Sequence, residues 1–237
     1  MSELFTAFSR AARDLFTPAV FWRVLWPPFA ALAICIVVGL SVWQPALAQL
    51  ELLVPTLPWT GFEWVAQWAA MFLLLAGFVA LFYFTTLLLV AIVVLPGLIN
   101  RVARQDYSDL GRHGENVFVG SLLTTLGATL IYLIGGLLSL PLLLIPGAIL
   151  VVPLVWTGWV NQRTFRFDAL AEHATRAELA DLIKSDRGGF FMVGVGCAAL
   201  AHVPVLNFLV PGYTALVFVH LGLQRLRALR SRQGVQL

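Results

Sequence analysis

Four apolar runs dominate this chain, near residues 24 to 43, 68 to 99, 118 to 160 and 189 to 223, and each reaches or exceeds the ~20 residues that cross a bilayer core as a helix. Only 11% of the 237 residues are charged and 60% are apolar. A soluble domain carries about a quarter charged residues, so this chain has too little polar surface to cover a globule in water. Membrane strands alternate apolar and polar residues, and Met71 to Leu95 shows no alternation. The expected fold class is therefore an all-α integral membrane protein of the inner-membrane type.

Charge placement orients it. All 15 Lys and Arg residues fall in four places: before the first span (Arg10, Arg13, Arg23), after the second (Arg101, Arg104, Arg112), between 160 and 188, and near the C-terminus. The connection from Gln44 to Gln67 holds none, only Glu51 and Glu63. By the positive-inside rule that connection lies across the membrane from the rest, with both termini cytoplasmic. Trp43, Trp59, Trp64 and Trp68 gather at the outer ends, and Trp22, Trp26, Trp156 and Trp159 at the inner ends, as aromatic belts do.

A single membrane domain over 1–237 is expected. Residues 2–16 place Leu4, Phe5, Phe8, Ala12, Leu15 and Phe16 on one face of an interfacial amphipathic helix. A signal peptide is not expected, because the stretch ahead of the first apolar run is too long for an n-region and has an apolar face of its own. Spans at 20–43 and 68–99 follow, with Trp26-Pro27-Pro28 suiting a helix start or a break. The 118–160 and 189–224 regions are each broken by a proline-rich turn, Leu140-Pro141 to Pro146-Gly147 and Val203-Pro204 to Pro211-Gly212. In the second region the arms, Gly189 to Val203 and Phe208 to Leu223, are ~15 residues each and reach only about 22 Å against a core of about 30 Å, which favours re-entrant hairpins. Short full crossings satisfy the charge rule equally well. Between the hairpins, 168–185 reads as a cytoplasmic amphipathic helix with a capping box at Thr175-Arg176-Ala177-Glu178, and 225–237 as a basic tail.

This order of elements, the turn Pro204-Val205-Leu206-Asn207-Phe208-Leu209-Val210-Pro211, and Phe167-Asp168 and His173 between the hairpins resemble the CysZ family of sulfate permeases. Its wider class is named for the etoposide-induced protein, and the resemblance covers most of the chain. It implies a bacterial inner-membrane protein with partly penetrating hairpins, assembled as a homo-oligomer, that conducts sulfate inward for cysteine synthesis. The family's anion site is a Gly-Leu-Arg-Arg stretch after a proline. The corresponding stretch here is Pro18-Ala19-Val20-Phe21-Trp22-Arg23, which lacks the glycine and both arginine positions and keeps one Arg immediately after. Helix starts bind anions through free N–H groups and the dipole, so Ala19, Val20, Phe21, Trp22 and Arg23 are the expected anion contact.

Each candidate also has a plainer role. Arg23 beside Trp22 and Trp26 fits a snorkelling topology anchor. His202 and Asn207, near the second turn, would line an anion path if that turn lies at depth, and would face water if it does not. Thr85, Thr86, Ser121, Thr124 and Thr125 fit helix packing. Arg225, Arg227, Arg230 and Arg232 suit anionic lipid and topology rather than nucleic acid. Cys35 and Cys197 have no ligand-spaced partners, so neither a metal nor a disulfide is expected. The sequence has no HExxH, G-x-S-x-G or P-loop motif and no intramembrane acid pair, so neither an enzyme nor a cofactor is expected. Two functions remain: an anion permease, or a non-conducting membrane organiser that keeps the architecture without the anion site.

Overall fold

The computed structural model describes residues 2–53, 63–114, 117–203 and 206–234. Among them are nine α-helices and no strand, in agreement with the all-α expectation. The Pro-rich connection at 54–62 and the Pro204-Val205 pair of the second turn lie outside the described residues. The chain forms two compact units: one from 1–21 with 94–237, the other from 22–93.

The helices are α1 (Ser2–Leu15), α2 (Pro18–Leu53), α3 (Glu63–Leu89), α4 (Leu95–Asp106), α5 (Val117–Leu138), α6 (Ala148–Leu170), α7 (Arg176–Ser185), α8 (Arg187–Leu200) and α9 (Val210–Gln233). Two of them are long and apolar enough to cross a membrane, α2 over Pro18–Leu50 and α5 over Val119–Leu138. The second unit holds the helical pair from α2 and α3, where Gly39 faces the Phe78 ring and the Trp43 ring lies tilted at 5.8 Å from it. Pro27 and Pro28 lie inside α2, which neither starts nor breaks there. The long 68–99 helix departs from regularity at Val90–Val94, a π turn that precedes α4. Pro96 explains it: its ring collides with the carbonyl four residues back and it offers no N–H, and a widened turn absorbs both.

In the first unit α9 is the axis. From Thr214 to Leu223 every residue is buried, so the helix is surrounded rather than one-faced. Phe218 sits between Phe165 at 6.1 Å and Phe190 at 6.3 Å, both rings stacked on it. Helix α1 packs on α9 through Ala7, Ala11 and Leu15, an i, i+4, i+8 seam of mostly small residues. The face expected from sequence is thereby divided, for Phe5 and Phe16 point outward at 77% and 71% exposure. Polar clamps fix α1 along α9: the Tyr213 hydroxyl donates to the Phe8 carbonyl at 3.0 Å, His220 Nε2 meets Asp14 Oδ2 at 2.8 Å, and Arg225 pairs with Glu3 at 3.0 Å.

The first hairpin breaks where its prolines and glycines predict. A short 3-10 turn spans Leu140–Leu144, and Gly147 takes a left-handed φ of 85° that a side chain would strain. Ser139 Oγ donates to the Gly135 carbonyl at 2.6 Å and accepts from Trp156 Nε1 at 3.0 Å, tying α5 to α6 just below the turn. The turn itself is apolar and outward-facing, with Leu144 86% exposed. Helix α6 continues past residue 160 to Leu170, and after a short turn α7 starts at the expected capping box. There Thr175 Oγ1 accepts from the Glu178 amide at 3.2 Å, and Glu178 Oε2 accepts from the Thr175 amide at 2.8 Å. Likewise α9 continues to Gln233, so residues taken as a tail belong to a helix.

Candidate functional site

The expected anion contact, Ala19 to Arg23, lies in the opening turns of α2. The Thr17 carbonyl accepts from the amides of Val20 at 3.0 Å and Phe21 at 2.9 Å, so those two N–H groups already have a partner. Val20 is buried, while Trp22 and Arg23 are exposed. His202 is exposed and its Nδ1 contacts the Ala198 carbonyl at 2.9 Å, ending α8. The Asn207 amide donates to the Val203 carbonyl at 3.0 Å, within the turn before α9. His202 and Asn207 share no hydrogen bond with each other among the described residues.

Arginines instead converge elsewhere. Along α6, Trp159, Gln162, Arg163, Arg166 and Phe167 recur at i, i+3, i+4, i+7 and i+8, one helical stripe. That stripe faces Thr124 of α5, Leu179 and Ile183 of α7 and Arg187 at the start of α8 around a cavity of about 400 Å³. No Asp or Glu lines it. Arg163 lies over the Trp159 ring and Arg166 over the Phe190 ring, each 5.4 Å from the centroid. Arg166 is only 8% exposed. Burial, then the nearby charges of Arg163 and Arg187, lower its pKa to about 10.

Several other arginines of the unit are paired with carboxylates. Arg225 meets Glu3 and Asp186, Arg227 meets Asp109, Arg230 meets Glu178, and Arg112 lies 3.8 Å from Glu172. Arg163, Arg166 and Arg187 have no carboxylate partner among the described residues. Gln162, 5% exposed on the same wall, has a buried Oε1 with no hydrogen-bond partner. Three cations around one space are unfavourable by themselves, and a bound anion relieves their repulsion. The sequence carried a signal for this: neither Arg163 nor Arg166 has an acidic residue three or four positions away, while an aromatic or amide side chain occupies the stripe on either side.

The described residues thus present outward-facing apolar helices, two of them long and apolar enough to cross a membrane, and a cationic cavity that no carboxylate lines. The family model described as Sulfate transporter CysZ/Etoposide-induced protein 2.4 matches residues 7–211, and the chain belongs to that family. The match ends at the first turn of α9, so the Arg225 to Arg230 pairings lie beyond it. No curated protein matches the chain, and no solved structure does.

Proposed function

We propose that this protein is a multi-pass permease of the bacterial inner membrane for sulfate or a related small oxyanion, with the Arg163, Arg166 and Arg187 cavity as its cytoplasmic anion contact. The observation that carries the reading is a buried arginine, Arg166, without a carboxylate partner beside two more arginines. Guanidinium groups present paired donors that match a tetrahedral oxyanion, and such bonds are charge-assisted. Membership of a sulfate-transporter family supports the same substrate class. The 14 residues of α8 make about 21 Å of helix, shorter than the hydrocarbon core, and support a second hairpin that dips into the membrane and returns. His202 and Asn207 flank its turn as path-lining groups, Arg23 serves the start of α2, and copies of the chain assemble around a shared route.

Radiolabelled sulfate uptake into proteoliposomes tests this. Uptake should exceed that of empty vesicles, and Arg166→Gln should lower it about 10- to 100-fold, the size expected for losing charged hydrogen bonds of 1.5–3 kcal/mol. Wild-type vesicles inert toward sulfate, sulfite and related oxyanions would leave the non-conducting organiser. An Arg166→Gln rate equal to wild type would remove the cavity from the route.

A further inference from the structure

We infer that the arginine cavity and the apolar groove beside it together hold one anionic phospholipid, its phosphate on Arg163, Arg166 and Arg187 and an acyl chain in the groove. The inference rests on the cavity's taking an oxyanion and names a particular bearer of that charge. A second hollow of about 420 Å³ adjoins the first, and Phe167 and Leu179 wall both. Apart from Arg176 its lining is apolar, including Val119 and Leu123 of α5 and Ala171 and Ala174 of the turn before α7. Gly120 makes the junction possible: a Cβ there would stand 2.5 Å from the Phe167 ring, so the ring rests against bare backbone between the two hollows.

Position and size point to lipid. Val119 and Gly120 of the groove lie at the start of the apolar stretch of α5, and Thr124 of the cavity wall is little more than one helical turn further along. Val119 and Leu123 are 55% and 64% exposed, so the groove opens on the outward face of α5 where acyl chains lie. Trp159 marks the interface beside it. An inorganic sulfate has no use for an apolar groove, and a zwitterionic lipid brings a cation that three arginines repel. Basic pockets between helices on the cytoplasmic side recognise anionic headgroups in this way.

Native mass spectrometry of the detergent-purified protein, doped with phosphatidylglycerol or phosphatidylcholine, tests the inference, with sulfate binding measured on the same samples. Phosphatidylglycerol should be retained over phosphatidylcholine, and its retention should fall about fivefold for each of Arg163→Gln and Arg166→Gln. Leu123→Gln, at an exposed position, should weaken the lipid without weakening sulfate binding, because the two anions compete for the same arginines. Equal retention of both lipids, or full retention by Leu123→Gln, would overturn the lipid assignment. So would loss of sulfate but not phosphatidylglycerol in Arg166→Gln, which leaves the oxyanion reading standing. Lipid selectivity in a protein that binds no sulfate would instead uphold the lipid and overturn the permease.

Discussion

Arg230→Met is expected to destabilise the protein by about 3–5 kcal/mol, the range for removing one partner of a buried ion pair. Arg230 is 1% exposed and joins three stretches that the sequence leaves far apart. Its Nε donates to Glu178 Oε1 at 2.7 Å, its Nη2 to the His173 carbonyl at 2.7 Å, and its Nη1 to the Gly111 carbonyl at 3.2 Å. Methionine fills much of the volume but removes the donor to Glu178 Oε1 and to the Gly111 carbonyl, and leaves the His173 carbonyl only the His113 amide at 3.4 Å. The pH dependence gives a second readout. Burial alone would raise the Glu178 carboxyl, but bonds from Arg230 and Thr175 outweigh it and hold the pKa at about 2, against an ordinary 4.5. The depressed folded value means this stabilisation is complete above about pH 4.5 and is lost as pH falls toward 2. The difference amounts to about 3 kcal/mol, in the same range as the mutation. Unfolding in mixed micelles across that window should be more acid-sensitive in wild type than in Arg230→Met. A variant within about 0.5 kcal/mol of wild type would show that α7 does not depend on this pairing.

Gly194→Leu should be comparably damaging for a geometric reason. Helices α6 and α8 cross with Gly158 against Gly194 and Val195, and the crossing leaves no room for side chains. A Cβ on Gly194 would overlap the Gly158 carbonyl, and one on Gly158 would stand 2.9 Å from the Val195 amide nitrogen, so the obstacle is backbone. Asn161 Nδ2 also donates to the Gly194 carbonyl at 3.3 Å. Alanine should cost about 1–3 kcal/mol and leucine more, because the helices must separate. Separation carries Arg187 at the start of α8 away from Arg163 and Arg166, so anion binding should fall together with thermal stability. Gly127→Ala in α5, where a Cβ meets nothing within 4 Å, is the control and should be neutral or slightly stabilising. Wild-type stability in Gly194→Leu would mean that the two helices do not meet as described.

The helices, the capping box at Thr175 and the first turn were legible because local rules govern them: apolar runs set length, and Pro141, Pro146 and Gly147 forbid continuation. Proline was a weaker guide inside α2 and beyond Val94, where a helix accommodates Pro27 and Pro28, or widens by one turn ahead of Pro96, without ending. The hydrophobic face of α1 was drawn from its largest side chains, yet the helix packs through Ala7 and Ala11, since close approach to α9 favours small residues. The arginines of α9 were read as a charged tail because their partners, Glu3, Asp109, Asp186 and Glu178, are brought near only by the tertiary fold. The same limit hid the candidate site. Arg163 and Arg166 are visible as a pair on α6, but the arrival of Arg187 and the lack of any carboxylate depend on how α8 and α7 pack.

The central claim is that an oxyanion sits among Arg163, Arg166 and Arg187. Crystals soaked in selenate, which copies the shape and charge of sulfate, give an anomalous selenium signal that locates the ion directly. A peak within hydrogen-bond distance of the Arg166 guanidinium is the expected result; a peak beside Arg23 at the start of α2, with the cavity empty, would contradict it.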